Sequence, residues 1–210
     1  MLNHHSRQLH ISLWVIFSLG MVANAWAGEL TIQVNDMAGA PISDAVVYAE
    51  ANNKVPGQPV GTAAIEQKNR QFMPLVTVIQ TGSSITFPNK DTVRHHVYSF
   101  SPTKTFELKL YSGVPTVPVV FDKPGTVVLG CNIHDQMLAF VHVVDTPYFG
   151  KTDASGKVKL SDLPNGQYVV KAWHYASVKE NVVVEQPLNV KGSEQVAMKI
   201  DIQSSSLRKP

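Results

Sequence analysis

The sequence predicts an all-β fold of antiparallel-sandwich type. Short apolar stretches alternate with polar residues, turn-forming clusters separate them, and no segment sustains a helical period. In order, the stretches are Leu30 to Val34, Ala45 to Tyr48, Ile85 to Phe87, Phe106 to Leu110, Val127 to Leu129, Phe140 to Val144, Tyr168 to Ala172 and Ala197 to Ile200. In an extended chain successive side chains face opposite ways, so each stretch can offer one apolar face to a core. The punctuation is Met37 to Pro41, Gln80 to Gly82, Lys123 to Gly125, Asp153 to Gly156 and Leu163 to Gly166. These clusters carry the Gly, Pro, Asn and Asp of tight turns, spaced as in antiparallel sandwiches. The one helical turn expected lies within Pro102 to Thr105 or Asp135 to Met137.

The length of 210 residues allows one large domain or two small ones. With 44% apolar and 16% charged residues, the composition excludes a disordered tail, a coiled coil and a collagen. The formal charge is +2, and no basic run carries interleaved aromatics, so nucleic acid is not expected as a partner. A single cysteine rules out an intramolecular disulfide and needs another explanation. Residues 1–27 read as a secretory signal peptide: Arg7, then an apolar run from Ile11 to Ala23, then Ala25, Trp26 and Ala27. The run is shorter than the roughly 20 residues of a membrane span, and the small residues suit cleavage after Ala27. The mature chain is expected in the periplasm with no membrane span. Cleavage removes Arg7 and no acidic residue, so the mature chain stays close to neutral and long-range steering by net charge is weak.

Two distant stretches are alike in kind. Asn35 to Tyr48 carries D-x-x-G-x-P-x-x-x-A-x-V, and Thr152 to Ala172 carries T-D-x-x-G-x-x-x-L-x-x-L-P-x-G-x-Y. Together they resemble the opening and continuation of a carboxypeptidase-regulatory-like (transthyretin-like) sandwich. In that family the second motif follows the first directly, whereas here about 100 residues intervene, enough for a domain. The expected organisation is therefore residues 28–60 plus 146–203 as one sandwich, residues 61–145 as an inserted one, and 204–210 as a flexible tail. The alternative is three serial pieces, with 28–60 supplying edge strands to the middle domain.

The chemistry concentrates in the middle segment. Cys131, His134 and Met137 lie on one short loop between two expected strands, and His95 and His96 follow another expected strand. Two imidazoles and a thiolate in a trigonal plane, with a weak axial thioether, are the ligand set of blue copper. Soft sulfur favours the cuprous ion and imidazole suits the cupric ion, so a site held by a stiff sandwich exchanges one electron with little rearrangement. Other chemistries fit less well. A cysteine nucleophile leaves the extra His and Met without a role. Zinc gains little from a thioether, and a dinuclear copper centre needs a second cysteine. No phosphate loop, zinc-protease motif or serine elbow is present.

The pattern C-x2-H-x2-M after an F-x-x-P-G-x-V strand, with N-x-D-x-x-x-H-x-V upstream, resembles the cupredoxins. The short gap between His134 and Met137 is similar to amicyanin, and the mature chain resembles periplasmic proteins of the methylamine-utilization type. The resemblance covers roughly residues 65–145 and implies a Greek-key sandwich with one type 1 copper ion. The ligands it implies are His95, Cys131, His134 and Met137. His95 holds the motif's first place, and His96 is the alternative, because neighbouring strand residues face opposite ways and only one can bind. Of the remaining histidines, His142 reads as a strand surface residue and His174 as structural, with Met73 in the core. The expected function is a non-enzymatic, periplasmic single-electron carrier that uses His134 as exit. Its expected partner is a redox protein such as a c-type cytochrome or a periplasmic dehydrogenase. The alternatives are a periplasmic copper-delivery protein and a scaffolding sandwich pair with a merely buried cysteine.

Overall fold

The computed structural model describes residues 27–52, 61–115, 117–179 and 182–203. The expected signal peptide up to residue 26, the segment before the expected boundary at residue 60, and the expected tail 204–210 lie outside the described residues. Among the described residues there are seventeen strands and no helix. They are β1 (Ala27–Asn35), β2 (Val46–Ala51), β3 (Thr62–Ala64), β4 (Glu66–Lys68), β5 (Gln71–Met73) and β6 (Val76–Gln80). Next come β7 (Ser84–Thr86), β8 (His95–Ser101), β9 (Lys104–Tyr111), β10 (Val119–Val120), β11 (Gly125–Gly130) and β12 (Leu138–Val144). The chain closes with β13 (Phe149–Lys151), β14 (Lys157–Pro164), β15 (Gly166–Trp173), β16 (Val184–Val190) and β17 (Ser193–Lys199). Both segments expected to hold a helical turn are instead simple turns, at Pro102 and Thr103 and at Asp135 and Gln136.

Period-2 burial explains these strands. In β14, Val158, Leu160 and Leu163 are buried while Lys157, Lys159 and Asp162 face water. The alternation slips by one at Asp162, whose φ is +61°. Opposite it, the pairing of β1 with β14 shifts register between Gly28 and Leu30, so a bulge returns Leu163 to the core face. The turn before β14 needs Gly156: its φ is +74°, and a Cβ there would sit 2.5 Å from the Val34 carbonyl oxygen.

The buried apolar residues fall into two cores. One gathers Leu30, Ile32, Val47 and Ala49 with Leu160, Val170, Val190 and Met198, so it draws on both ends of the described chain. Its layers are the sheets β14-β1-β17 and β13-β2-β15-β16. Thr152 ties the ends together, because its hydroxyl accepts from the Ala45 N–H and donates to the Ile42 carbonyl. The other core gathers Ile65, Ile85, Phe87 and Phe121 with Leu129, Cys131, Met137 and Val141. It lies between the sheets β6-β12-β11-β8-β9 and β10-β7-β3, with the β4-β5 hairpin alongside. Each fully buried Leu, Ile or Phe in these cores contributes about 1.5–3 kcal/mol.

Not all pairing is antiparallel. β1 with β17, β6 with β12, and β3 with β7 run parallel. Each of these pairs brings together strands separated by intervening chain, which a tight hairpin cannot do.

A third cluster, Val46, Tyr48, Val76, Val144 and Trp173, forms the seam between the sandwiches. It overturns the expectation for His142, which is 4% exposed. Alternation does turn Phe140 and His142 away from the core of their own sandwich. The second sandwich covers that face: His142 stacks on Trp173 at 4.7 Å, and Phe140 stacks on Tyr175 at 5.2 Å. Met73 is likewise not in a core. It is 47% exposed, because alternation along β5 buries its neighbour Phe72 instead. Among the described residues, no helix is long and apolar enough to cross a membrane.

Candidate metal centre

Three adjacent strands deliver the cluster. His95 is the first residue of β8, Cys131 follows the last residue of β11, and Met137 precedes the first residue of β12. In the sheet order β12, β11 and β8 are neighbours, and both of their pairings are antiparallel. The end of β11 therefore lies beside the starts of β8 and β12. The ligating atoms of His95, Cys131 and His134 all come within 4.8 Å of one another. The two imidazoles meet edge to face at a centroid distance of 5.0 Å.

Local features set each donor. Gly130 carries no side chain where Tyr98 crosses β11; a Cβ there would be 2.8 Å from the Tyr98 ring. The loop from Cys131 to Met137 closes through a hydrogen bond from the Met137 N–H to the His134 carbonyl at 2.9 Å. Met137 is thereby drawn inward, 1% exposed, into the same core cluster as Cys131. Cys131 is a free, buried thiol. Nearby, burial pushes Tyr111 up to about 12, against a hydrogen bond from Gln67 that works the other way, and the charge of Cys131 adds to the rise. The Tyr111 hydroxyl donates to the Phe87 carbonyl at 2.6 Å.

Nitrogen bookkeeping is the most informative feature. His95 is fully buried, and its Nε2 lies 2.8 Å from Asp91 Oδ2. An ionised carboxylate only accepts, so the ring carries its proton on Nε2 and its Nδ1 presents a lone pair. That Nδ1 is buried and has no hydrogen-bond partner, and the same holds for Nδ1 of His134. Buried polar atoms are nearly always paired, so two rings with an unpartnered nitrogen that meet at one thiol suit a metal ion. The donor set of imidazole, imidazole and thiolate, with a buried thioether on the same loop, suits copper. Among the described residues no carboxylate joins the cluster. Asp135, the one acid of the loop, is exposed.

His96 is not part of the cluster. Alternation turns it to the opposite face, where its Nε2 meets Glu107 Oε1 at 2.9 Å. His174 is buried away from the cluster, and its Nδ1 accepts from the Ala176 N–H. Asp91 is the residue that sequence reasoning left without a role, although it stands four positions before His95. Burial raises its carboxyl, but hydrogen bonds from the Arg70 N–H, the His95 ring and the Asn69 N–H outweigh that and hold it below its ordinary value.

No protein-family model matches the chain, and no curated protein matches it. Among solved structures the chain is similar to a purple cupredoxin from Nitrosopumilus maritimus. The identity is 22% over 39% of this chain and 99% of that one, with a TM-score of 0.35. It is similar to a pseudoazurin from Sinorhizobium meliltoi at 21% identity, covering 41% of this chain and 76% of that one, with a TM-score of 0.33. It is also similar to a reduced mutant of amicyanin at 15% identity, covering 46% of this chain and 99% of that one, with a TM-score of 0.36. These neighbours are cupredoxins matched over less than half of this chain, at likenesses too weak to carry a function, which rests instead on the donor geometry above.

Proposed function

We propose that the chain is a periplasmic type 1 copper protein that carries single electrons between redox partners. The observation that supports it is the convergence of Cys131 with one ring nitrogen each of His95 and His134, two imidazoles whose Nδ1 atoms are buried and unpartnered. His95, Cys131 and His134 would hold the ion, and Met137, buried on the same loop, would offer it a soft thioether sulfur. Copper would supply a one-electron couple between its cupric and cuprous states.

The protein's part is to keep the donors still. All four come from strand ends or from the tight loop, and Cys131 and Met137 are packed in an apolar core, so little has to move between oxidation states. His134 is half-buried, and Ile133 and Leu138 of the same stretch are exposed, so we take its ring as the exit for electrons. A small apolar rim of this kind suits a transient partner, which we take to be a c-type cytochrome or a periplasmic dehydrogenase. The second sandwich, which we read as carboxypeptidase-regulatory-like, serves as spacer or docking module. The chain itself is not an enzyme in this reading.

Voltammetry of the copper-loaded mature protein tests it. A carrier gives a reversible one-electron wave, and Met137→Gln keeps the metal while shifting the potential. Rapid loss of copper to a chelator with no reversible wave would overturn the carrier and leave a copper-delivery protein.

A further inference from the structure

We propose that Asp91 is a positioning residue of the metal centre. Gripped by a hairpin turn, its carboxylate holds His95 with Nδ1 bare and places a negative charge behind that ring. The proposal rests on reading the cluster as a metal site.

Both carboxylate oxygens are engaged. Oδ1 accepts the Asn69 N–H at 2.7 Å, and Oδ2 accepts the Arg70 N–H at 2.9 Å together with His95 Nε2 at 2.8 Å. Asn69 and Arg70 are the two residues joining β4 to β5, with φ of +56° and +58°. Positive φ at both central residues of a two-residue hairpin loop is the type I′ turn, which normally uses Asn or Gly. Arg70 adopts it without being glycine, at a conformational cost. The turn points both of its free N–H groups at one carboxylate 21 and 22 residues further along the chain.

The Asp91 backbone is held as firmly. Its N–H donates to Asn89 Oδ1, and Asn89 Nδ2 donates to the carbonyls of Val93 and Tyr111. Tyr111 is the residue paired with His95 across β8 and β9. Asn89, Asp91 and His95 thus form one frame spanning a hairpin turn, a loop and a strand start. The Asp91 side chain is 14% exposed, so this charge-assisted bond is shielded from water. A carboxylate on the far nitrogen of a ligating imidazole fixes its tautomer, raises its basicity and favours the more highly charged metal.

The test combines metal-free and metal-loaded protein. In the wild-type apoprotein, nitrogen-15 shifts of neutral His95 show the proton on Nε2. Asp91→Ala mixes the tautomers and lowers cupric affinity roughly 10–100-fold. Asp91→Asn removes the charge while keeping an acceptor oxygen, and it raises the reduction potential. A His95 proton on Nδ1 in the wild type overturns the proposal, as does an Asp91→Ala protein with unchanged tautomer and unchanged affinity. Should Asp91→Ala not fold, the wild-type tautomer and the Asp91→Asn potential decide the matter. A wild-type protein that binds no copper refutes the metal reading instead, while the apoprotein tautomer still reports on Asp91.

Discussion

Histidines with a buried ring nitrogen behave differently in two regions of this molecule. At the seam and beside it, His142 and His174 each give Nδ1 a partner, the Thr126 hydroxyl at 3.1 Å and the Ala176 N–H at 3.2 Å. Burial lowers both to about 4. They are neutral packing residues with a polar edge satisfied by the fold. At the strand ends of the sheet β6-β12-β11-β8-β9, His95 and His134 leave Nδ1 bare beside a thiol. Burial alone therefore does not mark a functional histidine. What distinguishes the second pair is a buried ring nitrogen that the protein does not pair, repeated on two rings that meet at one sulfur. His96 sharpens the contrast, because its Nδ1 is also bare but it has no sulfur or second imidazole to share an ion with.

The largest effect that follows separates the neighbours His95 and His96. His95→Ala is expected to abolish tight copper binding, whereas His96→Ala leaves the copper-loaded spectrum intact. Equilibrium dialysis with spectroscopy measures both, and equal losses in the two variants would break the distinction. Trp173→Ala comes next. It empties the seam against His142 and Phe140, and the expected loss of stability is about 3–5 kcal/mol by urea unfolding. The copper spectrum should hardly change, since the seam lies off the cluster. A spectral change as large as that of His95→Ala would show that the two regions are not separate.

A further effect is in pH. Both His142 and His174 sit below the ordinary value of 6.5 in the fold, so the unfolded chain takes up protons first as the solution is acidified. Their stabilising contribution is complete above about pH 6.5 and is lost as pH falls towards 4, by up to about 1.4 kcal/mol per pH unit for each ring. Denaturation midpoints at pH 7 and pH 5 measure it, and His142→Phe should flatten the slope by roughly half. A midpoint independent of pH across that range would show that these rings are not held neutral.

How far the sequence disclosed this arrangement depends on the range of the interaction. Strand alternation is local, so Leu30 to Val34 and Phe140 to Val144 were legible as strands, and Cys131, His134 and Met137 announce themselves by sharing seven residues. Alternation says which way a side chain points but not what lies there. That is why His142 read as surface: its outward face is covered by Trp173, which comes from a different sandwich. Met73 failed on the phase of a three-residue strand, too short to establish its own period. Asp91 was visible within a motif, yet its task needed the turn at Asn69 and Arg70, which only the folded chain brings alongside. The parallel pairing of β1 with β17 is illegible for the same reason, since no local signal links residues 164 positions apart.

In the proposed centre, Cys131, His95 and His134 enclose one copper ion. The most direct test is the visible and paramagnetic-resonance spectrum of the purified mature protein after stoichiometric cupric ion is added. We expect an intense thiolate-to-copper absorption in the wild type that is absent from a folded Cys131→Ser protein. A wild-type spectrum lacking that band, or one indistinguishable from the spectrum of Cys131→Ser, would contradict the account.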